Sequence, residues 1–423
     1  MSTASDLVPA SLASVAPVLV AVFILVVGNG LVTTLVPLRG VLENFSPAEI
    51  GAIGSTYFVG MLGGTWLAPG IVRRAGHIRA FAALAAIAAS AVLGFAIIVE
   101  PAMWMALRCI IGFCFGGLYA IVEGWVNAKA TDRNRGSMLG LYNVMSFGGS
   151  ATGQQFLNVA SAQSFTLFSV SAMSIVLALV PMALTRAEPP PLPVKARLDI
   201  LGLARRSPIA VMGVICVGLA NGSLWSLVPA VIERTGLGTT VLATFMTILI
   251  LGSAASPFPL GRLSDRMDRR WMIAIICGCA AAVEIGLVFV SLNPSIWMLY
   301  GLALGMGFFV PVIYPLIAAH ANDRNIEGGA MHMSSTLLFL YCLGAIVGPT
   351  LASFLMARFG DGALFMHNAV VHCVLGLYVL WRISRKAPPR IDAEVQPVGQ
   401  PLGQPLGQPL GQIEPQSASS PSS

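Results

Sequence analysis

Three charged residues lie well inside long apolar stretches of this chain, and they are the residues best placed to do chemistry. They are Arg108, Glu123 and Glu284. A charge at the centre of a membrane-spanning helix costs about 2.5–3.5 kcal/mol on insertion scales, so each is a candidate functional residue. Arg108 could bind an anionic solute or keep a nearby carboxylate charged, or it could extend to the outer interface. The sequence leaves these roles open.

Glu123 follows Arg108 by 15 residues. At a rise of 1.5 Å per residue this is about 22 Å, so the two side chains cannot pair along one straight helix. Glu123 could carry a proton, because removal from water favours the neutral carboxyl group. It could instead act as a cytoplasmic gate by pairing with the loop arginines Arg73, Arg74 or Arg135.

These side chains must be positioned by helices that cross a membrane. The chain is 56% hydrophobic and only 10% charged, whereas about 25% charged residues is typical of soluble domains. Crossing a bilayer core about 30 Å thick takes roughly 20 apolar residues. The sequence predicts twelve such spans, at 15–38, 49–72, 80–99, 102–128, 137–158, 164–185, 208–232, 239–260, 271–292, 295–319, 331–356 and 363–383.

The basic residues predict how the spans are oriented. Twenty of the 24 Lys and Arg residues fall in alternate gaps between the spans, and basic loops concentrate on the cytoplasmic side. Both termini are therefore predicted to be cytoplasmic, in the inner membrane of a bacterial cell. The net charge of +6 is explained by the basic loops that set the topology and contact membrane lipids, and it does not indicate nucleic-acid binding. The first apolar stretch is too long for a signal peptide and is expected to remain as a helix.

The sequence repeats itself at one offset. Asn29-Gly30 recurs as Asn221-Gly222 after 192 residues, and Asp132-Arg133-Asn134 recurs as Asp323-Arg324-Asn325 after 191. Each half holds six spans, an even number, so both insert in the same orientation as parallel repeats. The tail repeats Gln-Pro-Leu-Gly and is too polar to fold alone. The predicted divisions are an N-terminal segment 1–14, a bundle 15–185, a cytoplasmic linker 186–207, a bundle 208–385 and a disordered cytoplasmic tail 386–423.

Loop motifs carry a resemblance to a known family. The segment from Gly261 through Asp265 to Arg270 resembles the G-x-x-x-D-R-x-x-R-R signature of the major facilitator superfamily. Its glycine is expected to allow close helix approach, and its charges to form ion pairs in one conformation. Arg108-x-x-Ile111-Gly112 resembles the R-x-x-Q-G element of proton-coupled members of this superfamily. Glu123-x-Trp125-x-Asn127 is similar to the sequence of its YcaD-like branch. The expected gate residues are Gly70, Arg74, Arg79, Gly261, Asp265, Arg266, Arg269 and Arg270, with Arg74 standing where the first half would need Asp.

The resemblance implies an all-α fold of twelve transmembrane helices in two six-helix bundles around a central cavity. Spans 1, 4, 7 and 10 would line the cavity, and spans 2, 5, 8 and 11 would close its ends. The ninth span belongs to the outer ring, so Glu284 is expected in a buried pair or as a protonated carboxyl group. Amides can also join helices, and aromatic rings can serve only packing. The candidate substrate and coupling residues are Asn29, Thr33, Arg108, Tyr119, Glu123, Tyr142, Asn221, Trp225, Glu284, Tyr314 and Tyr341.

The expected function is secondary active transport of a small organic solute by alternating access. Proton coupling is expected, with Glu123 or Glu284 as the carrier, and efflux is favoured because the cavity lacks paired basic residues for a strongly anionic nutrient. A nutrient symporter, or a receptor or assembly factor on the same scaffold, is the alternative. The sequence has no G-x-x-x-x-G-K-[ST] loop, and its seven cysteines have no ligand spacing. We therefore expect a monomer with no enzymatic activity, metal or cofactor.

Overall fold

The chain is described by a computed structural model over residues 10–130, 135–185, 190, 198–292, 295–323 and 330–385. None of these residues lies in a β-strand. Residues 1–9 and 386–423, half of the linker and the repeated segment Asp132-Arg133-Asn134 lie outside the described residues. The helices are α1 (Ala10–Leu42), α2 (Pro47–Ala75), α3 (His77–Ile97), α4 (Pro101–Lys129), α5 (Arg135–Gln155), α6 (Phe165–Leu177), α7 (Leu179–Ala183), α8 (Ile200–Arg206), α9 (Pro208–Arg234), α10 (Thr239–Ala255), α11 (Pro257–Arg266), α12 (Arg269–Leu292), α13 (Ile296–Phe309), α14 (Ile313–Asn322), α15 (Ala330–Phe359) and α16 (Ala363–Arg385).

These helices build the twelve spans that the sequence predicts. Spans six, eight and ten are each made of two consecutive helices, α6–α7, α10–α11 and α13–α14, and α8 is a short helix before the second half. In the described residues, ten spans are long and apolar enough to cross a membrane. The other two are α2 and α5, whose many glycines lower their hydropathy. The predicted twelve-helix fold is confirmed.

Local sequence explains where several helices begin and break. Ser46 and Glu49 cap the start of α2 reciprocally, each side chain bonding the other residue's backbone N–H, as in a capping box. α6 ends at Leu177 and α10 ends at Ala255, each four residues before a proline, Pro181 or Pro259. A proline ring clashes with the carbonyl four residues earlier, so the helix breaks there.

The two halves pack their helices in the same way. In the first half α1 contacts α5, α2 contacts α4 and α3 contacts α6. The second half repeats these pairs as α9 with α15, α10 with α13 and α12 with α16. The order of contacts is the same along both halves, so the internal repeat of the sequence is also a repeat of structure.

Glycines allow the tightest of these helix pairs. A Cβ atom on Gly60 of α2 would overlap the Cys109 carbonyl, and one on Gly112 of α4 would overlap the Tyr57 carbonyl. In the second half, Gly218 of α9 meets the backbone of α15 in the same way. Because lipid gives helices no hydrophobic reason to associate, such close backbone contact is a main source of their attraction.

Side-chain hydrogen bonds join the halves toward one end of the molecule. Ser55 of α2 is hydrogen-bonded to Thr350 of α15 at 2.8 Å, and Gln155 donates to Thr247 of α10 at 2.6 Å. Both contacts lie toward the end where α2 begins and α15 ends, which we call the closed end. Toward the opposite end, which we call the terminal end, Trp66 is 60% exposed and there is open space around Gly140 and Gly261.

The α2–α4 contact generates a test of stability. Gly112→Ala should lower the free energy of unfolding by about 1–3 kcal/mol, because the added methyl group forces the two backbones apart. Gly278→Ala in α12 is the matched control, since a Cβ there meets nothing within 4 Å. Thermal unfolding in detergent would compare the two. Equal stability of both variants would show that the close approach of α2 and α4 does not limit the free energy of unfolding.

Candidate substrate and coupling site

Asn29 joins the first and fourth spans near the middle of the molecule. Its side-chain amide on α1 donates to the Tyr119 hydroxyl on α4 at 2.9 Å. Asn29 is 1% exposed, and its carbonyl oxygen is buried without a hydrogen-bond partner among the described residues. The two sequence candidates therefore meet, and they leave one acceptor available.

Tyr57 on α2 belongs to the same group, and sequence reasoning missed it. It lies within interaction range of Asn29 and Tyr119, and its hydroxyl is buried with no hydrogen-bond partner in the described chain. A signal was available: Tyr57, Gly60 and Gly64 share one face of α2, spaced three and four residues apart. That face packs on α4, where Gly112 follows Arg108 by one turn.

Arg108 is buried inside the protein, at 3% exposure. Its guanidinium carbon lies 4.8 Å from the centre of the Tyr57 ring, within the range of a cation–π contact. Its Nε and Nη1 atoms have no hydrogen-bond partner among the described residues, and none of the carboxylates described there forms an ion pair with it. The side chain thus does not extend to the outer interface.

Glu123 lies six residues before the end of α4, toward the terminal end. Its carboxylate accepts a long hydrogen bond, 3.4 Å, from the Tyr142 hydroxyl on α5. Tyr314 of the second half is also within electrostatic range of Glu123. The contact found for Glu123 in the described residues is thus with tyrosine and not with arginine. The Arg135 side chain lies outside those residues.

The second half contributes a matching group of polar side chains. The Tyr314 and Tyr341 rings meet edge-on with centroids 5.5 Å apart, and Asn221 lies beside the Tyr341 hydroxyl. Tyr341 is also within electrostatic range of Tyr57 across the boundary between the halves. We call the whole set the central polar cluster: Asn29, Tyr57, Arg108, Tyr119, Glu123, Tyr142, Asn221, Tyr314 and Tyr341.

Two sequence candidates stand outside the hydrogen bonds of this cluster. Trp225 packs on Phe147, Ala151 and Ile250, where α5 and α10 approach each other near the closed end. Thr33 is 8% exposed on α1, one turn beyond Asn29. The ring of Trp225 therefore contributes to packing between the halves.

Glu284 is paired away from the cluster. Its carboxylate on α12 lies 2.8 Å from Nδ1 of His372 on α16, and both side chains are fully buried. α12 and α16 pack on each other at the periphery of the second half, in agreement with the expectation of a buried pair. Glu284 Oε1 and His372 Nε2 have no partner among the residues that the structure describes.

The loop motif is charged and paired within the second half. Arg269 bonds Asp323 at 2.7 Å and Asp265 at 3.5 Å, and Arg270 bonds Asp268 at 2.6 Å. Partial burial alone would raise the pKa of Asp268, but hydrogen bonds from the Arg270 side chain and backbone outweigh it, so this pKa lies below its ordinary value. The pairs brace α11, α12 and α14 together.

The other expected gate residues make fewer contacts. Arg74, Arg79 and Arg266 are exposed, and none forms an ion pair with another described residue. A Cβ on Gly261 would meet nothing within 4 Å, and one on Gly70 would meet only the end of the Arg73 side chain. The expectation that Gly261 allows close helix approach is therefore wrong for this structure, because the terminal end is open around it.

Comparison with known proteins identifies the family. The chain matches the family model of the Major Facilitator Superfamily over residues 18–338 and again over 210–413. The chain therefore belongs to the Major Facilitator Superfamily, a family of multi-pass membrane transporters.

Its relatives include the MFS-type transporter YcaD of Escherichia fergusonii, 25% identical over 373 residues, which cover 86% of this chain and 95% of the relative. An MFS-type transporter of Yersinia pestis is 26% identical over 367 residues, covering 84% and 92%. The resemblance to the YcaD-like branch is thus confirmed.

Solved structures share the fold at low identity. The nucleoside transporter NupG superposes with a TM-score of 0.70 at 13% identity, over 88% of this chain and 100% of that one. A bacterial homologue of the lysosomal transporter Spinster, inward-facing and occupied, gives 0.68 at 13%, over 88% and 96%. The fucose:proton symporter FucP of E. coli gives 0.55 at 16%, over 88% and 99%.

The Glu284–His372 pair generates a double-mutant test. His372→Leu should destabilise the protein by about 3 kcal/mol or more, because it leaves a buried carboxyl group unpaired. Adding Glu284→Leu should recover most of the loss, since replacing both partners by apolar groups is often neutral. Thermal unfolding of the wild type, both single variants and the double variant would measure this. A double variant as unstable as the sum of the singles would contradict the pairing.

Proposed function

We propose that this chain is a proton-coupled secondary transporter that moves a small organic solute by alternating access. The central polar cluster would bind the solute, and Glu123 would carry the proton. The observation that carries the proposal is the position of Glu123, which is the carboxylate of the cluster, accepts a hydrogen bond from Tyr142 of its own half and lies within electrostatic range of Tyr314 of the other. Its protonation would change the hydrogen bond with Tyr142 and the electrostatic field at Tyr314 of the other half.

The packing supports a rocking motion of the halves. Within each half, glycines lock the helix pairs backbone to backbone, as at Gly112 and Gly218. Between the halves, the side-chain hydrogen bonds found in the described residues are those of Ser55 and Gln155 at the closed end. Tight backbone contact inside each half favours movement of the halves as two bodies.

The composition of the cluster supports a small amphipathic solute. Seven of its nine side chains are tyrosines or asparagines that combine apolar surface with a hydrogen-bonding group, and it holds a single arginine. Sites for small molecules are mostly apolar with a few placed polar groups. With no second basic residue in the cluster for a multiply charged nutrient, we favour efflux over uptake.

Proton coupling has support from the fold as well. FucP, which superposes on this chain, is described as a fucose:proton symporter, so this helix arrangement accommodates coupling to protons. We place the chain in a bacterial inner membrane as a monomer surrounded by lipid.

The proposed orientation generates a test of topology. The exposed arginines of α8 and α11, such as Arg205 and Arg262, lie at the terminal end, which the positive-inside rule assigns to the cytoplasm. Green fluorescent protein fused after the last residue should therefore fluoresce, and alkaline phosphatase fused at the same point should be inactive. The reverse pattern would place the terminal end outside.

The proton-carrier assignment generates a test in proteoliposomes. Glu123→Gln should abolish the response of flux to an imposed pH gradient, because the amide cannot exchange a proton at this pH. Exchange of solute at equal pH should persist, since the amide oxygen can still accept from Tyr142. A compound library would supply the transported solute.

Glu284→Gln is the matched comparison, because Glu284 is the other carboxylate buried within a span and lies outside the cluster. We expect it to keep the response to the gradient. If Glu284→Gln loses the response while Glu123→Gln keeps it, the carrier is at the periphery. If the wild type shows no flux of any compound, the transport proposal itself fails.

A further inference from the structure

Arg108 is the group in the central polar cluster whose bonding is least complete. The side chain is 3% exposed, and two of its nitrogen atoms, Nε and Nη1, are buried without a hydrogen-bond partner in the described part of the chain. Buried polar groups in proteins are almost always hydrogen-bonded, and an unpaired buried charge costs several kcal/mol. A hydrogen-bond acceptor other than the described residues would complete this site.

The groups around Arg108 limit which kind of ligand could complete its hydrogen bonds. The Tyr57 ring covers one side of the guanidinium at 4.8 Å, and the Tyr57 hydroxyl is also buried, beside the Asn29 amide but without a hydrogen bond of standard geometry among the described residues. Asn29 lies beside Tyr57 with an unpaired carbonyl oxygen. The site thus offers one positive charge, donors from Arg108 and Tyr57, and tyrosine rings for an apolar body.

We propose that Arg108 and Tyr57 bind the carboxylate of an organic monoanion with an aromatic or aliphatic body. One guanidinium balances one negative charge, so a dicarboxylate or a phosphate would bring charge that the cluster cannot neutralise. Guanidinium N–H groups match a carboxylate in geometry and form short charge-assisted hydrogen bonds with it. This inference rests on the proposed function and names the class of solute that it would carry.

The helix packing explains how such a solute reaches a buried arginine. Tyr57 and Arg108 lie on α2 and α4, which Gly60 and Gly112 join backbone to backbone. They move together when the halves separate, and the contacts that would part are those of α2 with the second half. Gly54 meets Ser226 there, one turn from Tyr57. Opening the closed end would therefore uncover a preassembled site without rearranging it.

The test measures ligand-induced thermal stabilisation of the purified full-length chain. The probes are phenylacetate and octanoate as monoanions, phenylacetamide as the neutral match and phthalate as a dianion. We expect the two monoanions to raise the Tm of the wild type, and the amide and the dianion to raise it less. Arg108→Gln should weaken monoanion binding by about 10- to 100-fold, because charge-assisted hydrogen bonds are lost.

Further variants separate binding from folding. Tyr57→Phe removes one hydroxyl and should weaken binding by about 2- to 10-fold, and Arg108→Lys keeps the charge if Arg108→Gln fails to fold. Arg358→Gln is the matched control, because Arg358 also lies over a ring, that of Phe354 at 5.8 Å, but is exposed outside the cluster. It should bind like the wild type.

Three results would overturn the proposal. They are equal stabilisation by phenylacetate and phenylacetamide, an unchanged shift in Arg108→Gln, and no stabilisation of the wild type by either monoanion. Failure of the transport proposal has a different signature, namely Arg108-dependent binding of a monoanion with no flux of any compound in proteoliposomes. Flux of a neutral compound that Arg108→Gln leaves intact would support transport and exclude this solute class.

Discussion

The close approach of α2 and α4 is the contact on which the candidate site depends. Gly60 and Gly112 let the two backbones touch, with no side chain between them. The same contact fixes Tyr57 of α2 against Arg108 of α4, since Gly112 meets the Tyr57 carbonyl. Lipid tails are as apolar as the side chains, so burying apolar side chains between helices gains no hydrophobic free energy. Close backbone contact therefore decides which helices are neighbours. The position of the charge in the cluster follows from that choice.

The two charged residues in the interior of α4 divide the central region electrostatically. Arg108 lies toward the closed end and Glu123 toward the terminal end, about 22 Å apart at the rise of an α-helix. Neutral tyrosines and asparagines separate them, so neither charge neutralises the other directly. The proposed anionic solute and the proposed proton would therefore occupy different places on one helix.

The sequence alone predicts the parts of this structure that depend on hydropathy and repetition. Twelve spans and two parallel halves follow from the apolar stretches and from family resemblance, which also nominates Asn29 and Tyr119 but does not predict their hydrogen bond. It fails where the outcome depends on which helix faces overlap. Tyr57 is missed because its partner Arg108 is on another span. Gly261 makes no close contact with another helix because the terminal end is open. Glu284 is predicted either in a buried pair or as a protonated carboxyl group, and spacing cannot identify its partner His372, which is 88 residues away.

The proline breaks give the two bundles unequal stiffness. In the first half, α2 and α4 run unbroken from one end to the other, whereas their counterparts in the second half are each divided, as α10–α11 and α13–α14. A divided helix has a joint at which it can bend, and an unbroken one transmits force along its whole length. The second bundle therefore has joints in its eighth and tenth spans where the first bundle has none, and the joint of the first bundle lies in its sixth span, at α6–α7.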